Sequence, residues 1–338
     1  MKTKHSNFLL ILLMTILMAA FGSTGAWAAI DVVTTTTDLQ DIVKTVGGDR
    51  VRVVSIGRGH EDPHFIEPRP TFMLELSRAK LVFCIGLELE IWLKPLLEGS
   101  RNQAVQVGGP GYVDCSQAVE VKEIPNTRID PSMGDVHALG NPHYWLDPEN
   151  AVHIAELAAR RLIEVDPSGK SNFIANAEAF KKDIETRIPQ WKAKFIPLLN
   201  KKIACFHSSW TYFTDAFGLK IVGYVEPRPG VPPTGREMAA LVGRMKSENS
   251  HIILREQYHA DTFANRIAEK ADAQVLVLPT SVGATPETNS YTKLIDVIVN
   301  RISQAISSAT APAFPSDSVP ASDSSPLSTS EHGGLSTK

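Results

Sequence analysis

The strongest constraint on this chain is an alternation that runs most of its length. Short runs, mostly apolar at Val51–Ile56 and apolar throughout at Leu81–Ile85, Ile203–Phe206, Ile252–Leu254 and Val275–Leu278, are separated by stretches of helical periodicity. A run that is apolar at every position, rather than every second one, reads as a strand buried on both faces, and helices between such strands read as the cover of a parallel sheet. The alternation is broken once, by Ser171–Leu199, where Phe173, Ala177, Phe180, Ile184, Ile188 and Trp191 keep helical spacing for longer than one lobe requires. A long helix with strand–helix alternation on both sides predicts a rigid connector, and Pro189 and Pro197 predict a kink or an early end to it. With 338 residues the chain exceeds one ordinary core. The expected class is therefore α/β: two lobes with mainly parallel sheets flanked by helices, joined by one long rigid helix.

The two ends read differently. Lys2 and Lys4, the apolar run Phe8–Phe21 and Ala26-Trp27-Ala28 have the order of a secretory signal peptide, and the run is shorter than the roughly 20 residues that span a bilayer. The first cysteine is Cys84, so no cysteine stands at the cleavage point to carry a lipid, and the mature chain is expected free in the periplasm, without membrane insertion. At the other end Ala309–Lys338 holds eight Ser and four Pro with almost no periodic apolar residues, the composition of a disordered tail. The expected divisions are 1–28 signal peptide, 29–169 N-terminal lobe, 170–200 linking helix, 201–308 C-terminal lobe and 309–338 tail. A net charge of −3 lacks the positive field that nucleic acids or anionic membranes require of a partner. Three cysteines allow one disulfide at most, Cys84 with Cys115 being the candidate pair. Helix starts are legible at Asp38, expected to cap Leu39–Val46, at Asp147-Pro148, and at the capping box Thr234–Glu237.

Among ten histidines, three stand where an α/β sheet builds a site. His64 follows the strand Val51–Ile56 through Gly57-Arg58-Gly59, His207 comes directly after Ile203–Phe206, and His143 lies in Asn141-Pro142-His143-Tyr144-Trp145. Ligands of open sheets gather outside the carboxyl ends of the strands. His60-Glu61-Asp62-Pro63-His64 also matches H-E-x-x-H, but that motif needs a helix, and Gly57, Gly59, Pro63, Pro68 and Pro70 forbid one.

These residues bring a resemblance with them. Asp62-Pro63-His64 with Glu67-Pro68-Arg69-Pro70 and Leu81–Leu93, then Asn141–Pro148, then Phe206–Phe213 running into Phe217-Gly218-Leu219, resemble in order the metal-binding segments of the zinc/manganese solute-binding proteins of ABC importers. The resemblance spans about Ile30 to Ile306. It implies a monomeric receptor, not an enzyme, that holds one metal ion between its lobes and hands it to a membrane permease. Carried over, His64 and His143 are N-lobe ligands and His207 the first C-lobe ligand. Manganese members commonly have a glutamate at the third position, and three neutral imidazoles suit Zn²⁺ better than hard Mn²⁺. The family's usual aspartate after the last C-lobe strand is missing, since that stretch reads Leu278-Pro279-Thr280-Ser281. Glu256, at the end of the strand Ile252–Leu254, is the expected fourth ligand, with His259, a water, or a purely structural role for Glu256 beside Arg255 as the alternatives.

The residues around these ligands are read as supports. Asp147 either orients His143 or, as Pro148 favours, caps a helix. His60, Asp130, Asp135 and His137 read as solvated loop residues, and Tyr144, Trp145, Trp210 and Tyr212 either wall the site or pack the core. Ligation by imidazole predicts loss of metal in acid, near the ordinary histidine pKa of about 6.5. The rival from another class is a secreted zinc-dependent hydrolase using the same three histidines, with Glu256 as its base.

Overall fold

The computed structural model describes residues 29–126, 137–228 and 230–310. The expected signal peptide, Asp130, Asp135 and the tail beyond Thr310 lie outside the described residues. The N-terminal sheet holds β1 (Ile30–Thr34), β2 (Val51–Ser55), β3 (Leu81–Cys84) and β4 (Tyr112–Asp114) in the order β2-β1-β3-β4. The C-terminal sheet holds β5 (Lys202–Cys205), β6 (Lys220–Tyr224), β7 (Ile252–Glu256) and β8 (Gln274–Leu278) in the order β6-β5-β7-β8. All neighbours are parallel. Both sheets therefore reverse strand order between their first and third strands, and a crevice opens there at the carboxyl ends. Two of the three strands outside those apolar runs, β4 and β6, are edge strands. Each is paired on one side only, and β6 carries Gly223 and is largely half-buried, so neither shows a continuous apolar run.

Alternate residues of each strand enter different layers, as the pleat requires. Val33, Val82 and Cys84 pack with Ile66, Leu76 and Leu96 on one face of the N-terminal sheet, under α2 (Pro70–Arg78) and α3 (Leu93–Ser100). Ala204, Phe206 and Ile253 pack with Leu241, Met245 and Ile267 under α7 (Gly235–Ser247) and α8 (Thr262–Ala271). The opposite faces, with Val32, Leu81 and Phe83 in one lobe and Ile203, Cys205 and Leu254 in the other, belong to one continuous apolar core. That core includes residues of α1 (Thr37–Gly47), α4 (Pro148–Val165), α6 (Thr211–Phe217) and α9 (Tyr291–Thr310).

The helix α5 (Lys170–Phe195) runs along the shared core and buries Phe173, Ala177, Phe180, Ile184, Trp191 and Phe195. It continues through Pro189 and ends just before Pro197, which falls in a terminal 3-10 turn, so the expected end comes at the second proline. Pro189 is exposed, as is Glu185, whose carbonyl loses its helical partner there, so water can take that acceptor. Meanwhile Ile184 and Trp191 anchor the helix on either side, the Trp191 indole donating to Asp296 Oδ1 at 2.8 Å.

Two further expectations are corrected. Thr36, not Asp38, caps α1 through its hydroxyl. Asp38 is completely buried and accepts from the backbone N–H of Val282 in the other lobe at 2.9 Å. Cys84 and Cys115 form no disulfide: both are buried free thiols, and they belong to core layers on opposite faces of the N-terminal sheet, from which their sulfurs cannot meet. The final helix runs to Thr310, so Ala309 is helical.

Candidate metal centre

Each of the three histidines singled out by the sequence arrives from a different segment. After β2 the chain turns without a helix, leaving His60 exposed, and Trp92 Nε1 donates to the carbonyl of Pro63 at 2.8 Å, pinning the loop beside His64. The H-E-x-x-H geometry is accordingly absent. His64 donates from Nδ1 to Asp62 Oδ1 at 2.7 Å. His143 donates from its backbone N and from Nδ1 to Asn141 Oδ1, both at 2.9 Å. The other end of that amide donates to Glu123 Oε2 at 2.7 Å and to the carbonyl of Ser208, next to His207, at 2.8 Å. His207 follows β5 directly, its position fixed by the bond from Phe206 N to Leu254 O.

The three rings converge, with centroid separations of 5.2 Å (His64–His143), 5.4 Å (His64–His207) and 5.1 Å (His143–His207). A fourth ring joins them. His137, expected to be a solvated loop residue, is half-buried with its Nε2 3.2 Å from that of His64, and the ligand atoms of His64, His137 and His207 lie within 4.8 Å of one another. Glu88 helps to place it by accepting from the N–H of Ala138 at 3.0 Å. Glu88 can do so because Gly86, Leu87 and Glu88 all take positive φ, a turn held by the Glu90 carboxylate on the N–H groups of Ile85 and Gly86.

The donor chemistry fits a borderline transition-metal cation. With Nδ1–H engaged on Asp62 or Asn141, the Nε2 atoms of His64 and His143 carry the free lone pair. Nε2 of His143 and of His207 are buried and lack a hydrogen-bond partner among the described residues. Burial keeps three of the rings neutral: it holds His143 and His207 well below the ordinary histidine range and pushes His137 down to about 4. Proton competition is thereby moved to lower pH than the 6.5 expected from the sequence.

Glu256 stands at the carboxyl end of β7, completely buried, and burial pushes its pKa up to about 8, with Ser209 and Trp210 easing that partly. Its Oε2 lies 3.7 Å from His259 Nε2, and it stands outside the set of atoms that joins His64, His137 and His207, as does His143, whose ring nonetheless lies 5.1–5.2 Å from those of His64 and His207. A cavity of about 110 Å³ opens beside these groups, lined by Asp62, His64, Phe65, His207, Glu226, Gly230 and His259. Asp147 is the cap of α4, bonded to Glu149 N, and the acceptor for His143 is Asn141 instead. Tyr144, Trp145, Trp210 and Tyr212 are all buried. Trp145 packs against His143 at 5.4 Å and donates to Thr280 O across the lobes, and Tyr212 Oη donates to Asn141 O.

Two parallel-sheet lobes closed over a nest of imidazoles define a class, the metal-binding receptors that serve ABC importers with a membrane permease. Members of that class bind and release their substrate and are not enzymes. The family model for ZnuA, the periplasmic zinc-uptake complex component A, matches residues 32–305, and the chain belongs to that family. It is 26% identical over 247 residues to the manganese-binding lipoprotein MntA of Halalkalibacterium halodurans, covering 72% of this chain and 76% of the relative. It is 25% identical over 282 residues to the iron-binding protein YfeA of Yersinia pestis, covering 81% and 85%. A crystal structure of ZnuA superimposes with a TM-score of 0.67 at 26% identity, covering 82% of this chain and 99% of the other. No described helix is long and apolar enough to cross a membrane.

Proposed function

We propose that the chain is a zinc receptor of the periplasm, capturing one Zn²⁺ tightly between its lobes on His64, His143 and His207 and delivering it to the permease of an ABC importer. The observation that supports this reading most is the convergence of the three imidazoles, with the Nε2 atoms of His143 and His207 buried and without a hydrogen-bond partner among the described residues. Such a donor set is poor in the hard oxygen ligands that manganese prefers and matches zinc. For the fourth position the distances favour His137 over Glu256, the ligand expected from the sequence, because His137 shares the nest. The same reading takes the receptor to act as a monomer.

The test is metal analysis of chelator-stripped protein after zinc loading, combined with thermal melts. Zinc at a hundredfold excess over Kd stabilises a native-state binder by about 2.7 kcal/mol. His64→Ala, His143→Ala and His207→Ala each remove most of that stabilisation. A melt unmoved by zinc in the unaltered protein would falsify the reading.

A further inference from the structure

Beside the nest, a buried acid and an imidazole face one another unused. The Ser209 hydroxyl and the Trp210 indole approach Glu256 outside hydrogen-bond geometry, so neither of its oxygens has a hydrogen-bond partner among the described residues, and neither does the buried Nε2 of His259, although Oε2 and Nε2 are 3.7 Å apart. That gap is too long for a hydrogen bond. It is close to the edge of a tetrahedral metal site, where two ligand atoms about 2.0–2.1 Å from the ion sit about 3.4 Å from each other. The pair is held in place rather than loosely exposed. The His259 ring stacks on Phe206 at 4.4 Å with planes 19° apart, its carbonyl accepts from Arg255, and its N–H donates to the carbonyl of Glu256. His259 also lines the cavity, together with the carboxylates of Asp62 and Glu226. The His207 ring, 5.9 Å away, links the pair to the nest.

We propose that Glu256 and His259 form a second divalent-cation position adjoining the nest, with water completing its shell. The inference rests on the nest being the tight zinc site. One imidazole with one carboxylate and water is a harder donor set than the nest, so this position accepts Mn²⁺ or Fe²⁺ as well as Zn²⁺. It binds more weakly than the nest, because a neighbouring dication repels the second ion even with three carboxylates close by. An ion entering the cavity thus meets a weak station before or beside the tight one.

The experiment is equilibrium dialysis of the chelator-stripped full chain against Zn²⁺, read by plasma mass spectrometry, with circular dichroism and a zinc-free melt to confirm folding of each variant. The unaltered protein takes up one tight and one weaker ion. His259→Ala and, separately, Glu256→Gln lose the weaker ion and keep the tight affinity within about threefold. His143→Ala does the reverse. The half-exposed His259 keeps the test informative if the Glu256 variant does not fold. Saturation of the unaltered protein at one ion overturns the proposal. So does a second ion that survives both variants, which is then bound elsewhere, or loss of tight binding in Glu256→Gln, which makes Glu256 a ligand of the first ion. If His143→Ala leaves the tight ion in place, the nest itself is refuted and the second position goes with it.

Discussion

Asn141→Ala separates the role of the ligand support from that of the ligands. The side chain makes four hydrogen bonds, two accepted from His143 and two donated, to Glu123 and to the carbonyl of Ser208. At roughly 0.5–1.5 kcal/mol net for each bond the upper range is about 2–6 kcal/mol, and water entering the space left by the amide recovers part of it, so a loss near 2–4 kcal/mol follows. Zinc binding suffers separately. Without an acceptor on Nδ1 the His143 ring is free to change tautomer and turn, and loss of such a support typically costs 10- to 100-fold in affinity, about 1.4–2.7 kcal/mol. Asn141→Asp divides the two effects: its oxygen still accepts from His143, preserving affinity, while its charge opposes Glu123, lowering stability. Competition against a chromophoric chelator measures the first and calorimetric melting the second. A folded Asn141→Ala protein that binds zinc within about threefold of the unaltered chain would refute the argument that the amide sets the ring.

Two other outcomes follow from burial and composition. In metal-free protein, His137 and His259 both titrate near 4 when folded, against about 6.5 unfolded, so the unfolded chain takes up protons that the folded one refuses and stability falls as pH drops from about 6.5 toward 4. Glu256, raised to about 8, has the opposite sign: its contribution is present below the ordinary carboxylate pKa and is lost as pH rises through about 8. Melting temperature against pH therefore declines in both directions, with the acid slope reduced in His137→Ala and the alkaline slope in Glu256→Gln; a flat profile in stripped protein would contradict the assignment. Removing residues 311–338 leaves both melting temperature and zinc affinity unchanged, because a Ser/Pro-rich segment buries too little apolar surface to offset its ordering. A drop of several degrees on truncation would show that the segment docks.

The parallel sheets, the long helix and the strand-end placing of His64 and His207 were legible because each leaves a local mark: apolar runs, sustained helical spacing, a histidine soon after a strand. His137 left none. Its contact is with His64, 73 positions earlier, and depends on a turn of positive-φ residues and on Glu88 reaching Ala138. Asp38 shows the same limit from the other side, since its place at a helix start suggests a cap, while its actual partner, Val282, is 244 positions away. That the helix continues past Pro189 and ends only before Pro197 was not legible, because a proline's cost depends on which side of the helix faces water, which the sequence alone does not show. Glu256 was visible as a strand end, but the direction of its carboxylate, toward His259 rather than into the nest, is a matter of packing.

The central claim, that a neutral imidazole nest selects zinc, is tested most directly by competing Zn²⁺ and Mn²⁺ for the tight position of stripped protein in one titration. The account predicts that zinc binds tighter than manganese by orders of magnitude and that replacing His143 abolishes this preference. Equal or tighter binding of manganese at that position would contradict it.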